Sequence, residues 1–186
     1  IPAATDAAER AYRYAQSAYA AQPRHPRIVN ERMVYARLLA VGDRFREALA
    51  LLQQSVDDAQ ALYGPSSGPL GQYLQGLAVS QARAGDLDAA RRHIERALPM
   101  LEQHFGADSG HAAAAVDALA FVHFTAREPE RAIPLYDRAL RVATALYGEH
   151  GEPVFPMRMR RAAALAWQGR PAEALPELQR VVDEYG

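Results

Sequence analysis

The chain has 186 residues, of which 49% are apolar, and its 21 basic and 22 acidic side chains give a net charge of −1. This length suits one domain or a short array of repeats with a sizeable core, and the balanced charge argues against a nucleic-acid-binding protein. Every basic residue is arginine and cysteine is absent, which excludes a Schiff-base lysine, a phosphate-loop lysine, a thiolate nucleophile, a disulfide and a cysteine-ligated metal.

The first predicted element is a helix over residues 5–21, in the stretch TDAAERAYRYAQSAYAA. We expect Thr5 or Asp6 to cap its N-terminus. It has the character of the second helix of a degenerate repeat unit. No apolar run of about 18 residues and no signal-peptide core occurs, so membrane insertion is not expected. The absence of cysteine leaves the cellular compartment open.

A repeat of 42 residues organises the rest of the chain. Two columns of alanine recur at this interval: Ala36, Ala78, Ala120 and Ala162, and then Ala48, Ala90, Ala132 and Ala174. Four residues after each alanine of the second column stands a bulky apolar residue, namely Leu52, Ile94, Tyr136 and Leu178. Small residues at fixed points let two helix backbones approach closely, and a bulky neighbour fills the groove beside them. The pattern therefore predicts four helical hairpins.

Each hairpin consists of a first helix, helix A, and a second helix, helix B. Helix A is predicted over 28–41, 70–84, 112–126 and 154–168, and helix B over 45–63, 87–105, 129–147 and 171–185. The hairpins then occupy 28–63, 70–105, 112–147 and 154–185. In the turns VGDR, AGDL and QGRP, glycine is expected to supply the left-handed position after helix A, and Arg127 replaces it in the third repeat. Pro134 and Pro176 fall inside helix B, where proline removes a hydrogen bond and can kink the helix.

The order of these columns resembles the tetratricopeptide repeat family, whose members place small residues 12 positions apart on helices A and B and a bulky residue four further on. PLYDRAL at 134–140 and the LYG…P linkers at 62–69 and 146–153 are similar to the long repeats of kinesin light chains and many bacterial signalling proteins. The resemblance implies an all-α fold, a right-handed α-α superhelix of about four hairpins plus one leading helix, forming a single array over residues 1–186. Because no polar capping helix follows the last hairpin, we expect a fragment of a longer protein.

Motifs that would indicate a metal site, a phosphate site or a basic binding patch are weaker than the repeat pattern. His104, Asp108 and His111 surround one loop, but a surface turn with Asp108 or Ser109 as a helix cap explains them better than a metal. GPSSGPLG at 64–71 lacks the lysine of a phosphate loop and is interpreted as a linker. MRMRR at 157–161 is either a solvated face or a contact for an acidic partner. We therefore expect no enzyme activity, no metal and no cofactor.

The remaining candidate site is the concave groove that the resemblance implies along the four helices A. The groove residues are those on helix A that face away from the alanine columns: Asn30, Met33, Arg37, Gln72, Gln75, Val79, Arg83, Asp117, Phe121, Thr125, Met159, Arg160 and Trp167. Apart from the adjacent Met159 and Arg160, they recur at three, four or seven residues, a spacing that places each helix's set on one face. Phe121 and Trp167 are interpreted either as apolar anchors for a ligand or as core residues.

The sequence thus predicts a scaffold that binds a peptide or protein segment in this groove, as a module of a larger regulatory or signalling protein. One alternative is a structural module that forms homo-oligomers through its uncapped ends. Another is the ligand-sensing arm of a regulator or kinase. Neither nucleic acid nor membrane is an expected partner.

Overall fold

The computed structural model describes the backbone of residues 2–185 and the side chains of residues 2–180. Within that range the chain forms nine α-helices and no β-strand, which confirms the predicted all-α fold class. The helices are α1 (Pro2–Ala18), α2 (Pro26–Val41), α3 (Phe45–Tyr63), α4 (Gly68–Ala84), α5 (Leu87–Phe105), α6 (Gly110–Thr125), α7 (Pro129–Tyr147), α8 (Val154–Trp167) and α9 (Pro171–Tyr185). None of the described helices has the length and apolar character of a bilayer-spanning segment.

The helices group into two compact units, the first ending at Met100 and the second beginning at Leu101. In the first unit α1 packs on α2, α2 on α3 and α3 on α4, and α2 also contacts α4. In the second unit α6 packs on α7, α7 on α8 and α8 on α9, and α6 also contacts α8. Each unit therefore brings two helices A side by side.

The two alanine columns lie in the core of the helical array. All eight alanines are at most 1% exposed, as the sequence pattern predicts. Ala48 lies in a core cluster of the first unit with Ile28 and Leu39, and Ala132 lies in a cluster of the second unit with Tyr136 and Leu165. The absence of a larger side chain in these columns is what lets helix A and helix B of one hairpin meet at short range.

The start of helix A is fixed by a capping residue at one position of the repeat. His25 Nδ1, Ser67 Oγ and Ser109 Oγ accept hydrogen bonds from the backbone N–H of Arg27, Leu70 and Ala112. These caps begin α2, α4 and α6 two residues before the expected starts at 28, 70 and 112, and they select Ser109 over Asp108 as the cap of α6. The fourth repeat has Gly151 there, which offers no side-chain acceptor, and α8 begins only at Val154.

The expected capping of α1 by Thr5 or Asp6 is wrong. Both residues lie inside the helix, which begins at Pro2. Proline is favourable at the first position of a helix because its fixed φ suits the helix and its missing N–H would have no partner there. The same preference explains why Pro26, Pro129 and Pro171 begin α2, α7 and α9.

The turn from helix A to helix B needs one left-handed residue, and the repeat fixes its position. Gly85 and Gly169 supply it with φ of 88° and 81°, and Arg127 takes it with φ of 63°. In the first repeat the expectation that Gly42 of VGDR does so is wrong, because Gly42 has φ of −90° and Asp43 has φ of 61°. Aspartate tolerates this conformation better than most residues because its short polar side chain bonds locally.

Candidate functional site

The predicted groove residues of the first unit lie on the neighbouring helices α2 and α4. A methyl group placed on Gly76 of α4 would lie 3.7 Å from Met33 Sδ and 3.9 Å from Arg37 Cδ, so two side chains of α2 extend across α4. We call this set the first helix-A surface: Asn30, Met33, Arg37, Gln72, Gln75, Val79 and Arg83. Asn30, Arg37 and Arg83 are exposed, and the other four are half-buried.

The first helix-A surface carries unbalanced positive charge. Arg37 and Arg83 form no ion pair with any side chain in the described part of the chain. Helix α4 contains no acidic residue, and Glu31 of α2 is held by Arg27 at 2.7 Å. The other polar groups of the surface are amides, which donate to and accept from a peptide backbone equally well. Its charge therefore favours an acidic ligand.

In the second unit, two predicted groove residues bind each other. Arg160 of α8 donates from Nε and Nη2 to the two carboxylate oxygens of Asp117 of α6, at 3.1 and 2.5 Å. Burial raises the pKa of Asp117 above its usual value, and the facing Arg160 guanidinium opposes that rise. Because this bidentate pair satisfies both groups, Arg160 is not a free cation for a ligand carboxylate.

The other groove residues of the second unit are mainly apolar. Phe121 and Met159 are half-buried. Thr125 donates its hydroxyl hydrogen to the Phe121 carbonyl at 2.8 Å, so its polar group is already satisfied by its own helix. Together with Asp117, Arg160 and Trp167, these residues form what we call the second helix-A surface.

Trp167 is exposed, with 51% of its surface accessible, so it is not a core residue. Its ring meets Phe124 edge to face at a centroid distance of 5.1 Å. The Arg127 guanidinium lies 5.8 Å from the centroid of the Trp167 ring. A large aromatic held in one orientation but left open to solvent has the properties of an interface anchor.

The basic run MRMRR is neither a solvated face nor a free basic patch. Arg158 pairs with Glu149, and Arg161 pairs with Asp137 at 2.5 Å and also with Glu177. Arg160 is bound to Asp117, so all three arginines of the run are neutralised. The run therefore links α8 to neighbouring elements of the second unit through ion pairs.

The histidines considered as metal ligands contact an aromatic ring. His104 and His111 lie 4.6 and 4.0 Å from the Phe105 ring, measured between centroids. Among the residues whose positions are described, no three potential metal ligands come together. A packing role explains both side chains.

A cavity of about 880 Å³ in the first unit was not predicted from the sequence. Arg32 lines it although only 3% of its surface is exposed. Arg32 Nη1 donates to Asp58 at 2.7 Å and Arg32 Nε donates to the Tyr12 hydroxyl at 3.2 Å. Burial opposes the charge of Arg32, but the bonds to Asp58 and Tyr12 outweigh it and raise the pKa of the guanidinium.

The sequence does contain a signal for this cavity. The residues 42 and 84 positions after Arg32 are Leu74 and Val116, and those after Asp58 are Met100 and Val142. The first repeat thus places an ion pair where the next two repeats place apolar residues. The fourth repeat has an arginine again, Arg158, so the column is apolar in only two of the four repeats. Burying an ion pair is expensive unless its hydrogen bonds are satisfied, and Arg32 meets this condition through Asp58 and Tyr12.

Comparisons with known proteins agree with the repeat pattern. Two tetratricopeptide repeat models match residues 33–103 and 112–152, which together make up well over half of the chain. A solved structure of BtubC (BKLC) from P. vanneervenii is similar over 100% of this chain and 74% of that one, with a TM-score of 0.76 at 22% identity. A kinesin light chain-like protein of Podosopora anserina with nearly identical TPR-like repeats is similar over 98% of this chain and 92% of that one, with a TM-score of 0.70 at 16% identity.

One curated protein matches a part of the chain. The protein-lysine N-methyltransferase SMYD4 of Danio rerio is 29% identical over 100 residues, which are 54% of this chain and 13% of that protein. The chain thus spans about an eighth of that relative. The methyltransferase activity belongs to that protein and is not assigned to this chain. Repeats of this fold typically serve as non-catalytic scaffolds for protein–protein interaction. The matched models, the 42-residue spacing and the helical hairpins show that the chain belongs to the tetratricopeptide repeat family.

Proposed function

We propose that this chain is a protein-interaction module whose helix-A surfaces bind an extended, acidic segment of a partner protein. The proposal rests chiefly on the unpaired arginines Arg37 and Arg83 of the first helix-A surface. Arginine is a strong recognition residue for carboxylates because its planar fork donates two parallel hydrogen bonds.

The chemistry of the first helix-A surface suits a peptide in an extended conformation. Such a peptide exposes its backbone N–H and C=O groups, and the amides of Asn30, Gln72 and Gln75 can donate to and accept from them. The sulfur and methylenes of Met33 adapt to side chains of different shapes. Carboxylate side chains of the ligand would meet Arg37 and Arg83.

The second helix-A surface offers a partner protein apolar contacts instead of charge. Asp117 and Arg160 neutralise each other. A ligand would therefore contact this surface mainly through the apolar side chains of Phe121, Met159 and Trp167. An aromatic ring that is already oriented loses little conformational entropy on binding, which makes Trp167 the expected apolar anchor of this surface.

Selection from a library of random, extended peptides tests this proposal. We expect the selected sequences to be enriched in aspartate and glutamate and to bind more weakly as salt increases. Replacing both Arg37 and Arg83 with glutamine should weaken binding of a selected peptide about tenfold or more. The matched control is Arg46→Gln with Arg92→Gln, because these exposed arginines of α3 and α5 give the same charge change on helices B.

The affinities can be measured by isothermal titration calorimetry with the whole chain. The proposal fails if selected peptides carry no acidic bias. It also fails if the control pair weakens binding as much as the Arg37 and Arg83 pair, because the effect would then be one of net charge. If sedimentation shows that the chain buries these surfaces against a second copy of itself, self-association replaces peptide binding.

A further inference from the structure

The cavity of the first unit has the construction of a ligand site, and it is separate from the helix-A surface. Arg32 and Arg37 both belong to α2, but five residues separate them, which turns them about 140° apart around the helix. Arg32 therefore points toward α1 and α3, where it contacts Tyr12 and Asp58. The cavity volume of about 880 Å³ lies in the range of small-molecule sites.

Around Arg32, the hydrogen-bonded group of Arg32, Asp58 and Tyr12 has donors that this group itself does not satisfy. Asp58 already accepts from Arg32 at 2.7 Å and from Arg24 at 3.2 Å. Arg32 uses Nε and Nη1, and its Nη2 group makes no hydrogen bond in the described part of the chain. The Tyr12 hydroxyl accepts from Arg32 and from Gln16, so its own hydrogen is free to be donated.

Arg24 adds further donors at the edge of the same cavity. Its side chain is 67% exposed and only its Nε is bound, to Asp58. Counting Arg24 and Arg32 against Asp58 leaves one positive charge. A group that only accepts hydrogen bonds and carries one negative charge would satisfy these donors, and a carboxylate is such a group.

The remaining lining combines apolar residues with the polar side chains of Gln16, Gln22, His25 and Gln54. The apolar residues determine what the carboxylate is attached to. Ile28 is buried, and Leu62, Pro23 and Pro26 also line the cavity. These side chains would contact a hydrocarbon body and remove it from water. We propose that this cavity binds a small monocarboxylate with an apolar body, its carboxylate held by Arg32, Arg24 and the Tyr12 hydroxyl.

The pair Arg32 and Asp58 is not required by the fold, which makes a clean test possible. The second repeat has Leu74 and Met100 at the matching positions. The double change Arg32→Leu with Asp58→Met copies that apolar pair and leaves no unpaired buried charge, so the helical fold should be retained. Far-UV circular dichroism and thermal unfolding check this before binding is measured.

Hexanoate is the probe, titrated into the whole 186-residue chain and followed by calorimetry and by NMR shifts. We expect hexanoate to bind and to shift signals of α1, the α1–α2 loop and α2. Both the Arg32→Leu, Asp58→Met variant and the single variant Arg24→Gln should bind about tenfold more weakly or worse. Arg27→Gln is the matched control because Arg27 is exposed, lies beside the same loop and pairs with Glu31 outside the cavity.

Several results would overturn the inference. They are absence of hexanoate binding up to about 10 mM, equal binding by the apolar double variant, and equal binding of the uncharged analogue hexanamide. Tighter binding of inorganic phosphate than of hexanoate would overturn the assignment to carboxylates. Changing Arg37 and Arg83 to glutamine should leave hexanoate binding unchanged, so failure of peptide binding and failure of this inference can be told apart.

Discussion

Removing the hydroxyl of Tyr136 is expected to stabilise the protein. Tyr136 is 0% exposed in the core of the second unit, and its hydroxyl oxygen has no hydrogen-bond partner among the side chains and backbone that the structure describes. A buried hydroxyl without a partner loses its bonds to water, which costs about 1–3 kcal/mol. The equivalent residues Leu52 and Ile94 of the first two repeats have no polar atom, so the column does not need one. Tyr136→Phe should therefore gain about 1–3 kcal/mol.

Chemical denaturation followed by far-UV circular dichroism measures this gain, and thermal unfolding gives a second reading. For a chain of this size, each kcal/mol corresponds to about 2–4 °C in the melting temperature. Tyr12→Phe is the matched control with the opposite expectation. The Tyr12 hydroxyl accepts from Gln16 at 3.1 Å and from the buried Arg32 at 3.2 Å. Losing two such bonds should cost about 1–3 kcal/mol.

A loss of stability in Tyr136→Phe would refute the reasoning, since it would mean that the hydroxyl has a stabilising partner. Equal effects of the Tyr136 and Tyr12 substitutions would refute it as well. The comparison isolates hydrogen bonding because the same atom is removed at two positions that are at most 9% exposed.

Three further substitutions test the repeat geometry and one half-buried histidine. Asp43→Gly should stabilise by up to about 1 kcal/mol in denaturant titrations, because φ of 61° strains a residue with a side chain. Ala132→Leu should destabilise by about 1–3 kcal/mol or more, because this alanine is 0% exposed where two helices meet. Burial and the nearby Arg92 and Arg96 lower the pKa of His93 below its usual 6.5. Its contribution to stability is therefore full above about pH 6.5 and falls as the pH drops through the lowered value, and His93→Gln should remove that part of the pH dependence. A pH profile of unfolding that is unchanged in His93→Gln would contradict this assignment.

The hairpins could be predicted because their determinants recur in the sequence. Small residues such as Ala48 and Ala132 mark the points where backbones meet, whatever the surrounding sequence is. The prediction that Gly42 takes the left-handed conformation is wrong because the glycine of VGDR lies one residue before the left-handed position of the turn. The repeat register, which places the turn residue 42 positions before Gly85, fixes the left-handed conformation at Asp43.

Pairings between side chains were harder to predict because they depend on how separate helices align. Asp117 and Arg160 are 43 residues apart in the sequence. The position of each residue on its own helix predicts a groove residue that is free to bind a ligand. Only the contact between α6 and α8 reveals that they neutralise each other. Similarly, the change from Arg32 to Leu74 between the first two repeats can be read from the sequence, but the cavity beside Arg32 arises from the packing of α1, α2 and α3.

The proposed function requires that helices A, and not helices B, carry the recognition surface. NMR shift mapping with a selected acidic peptide tests this claim most directly. We expect the largest shifts on exposed positions of α2 and α4, including Arg37 and Arg83. Shifts concentrated on the exposed faces of α3, α5 and α7 would contradict it.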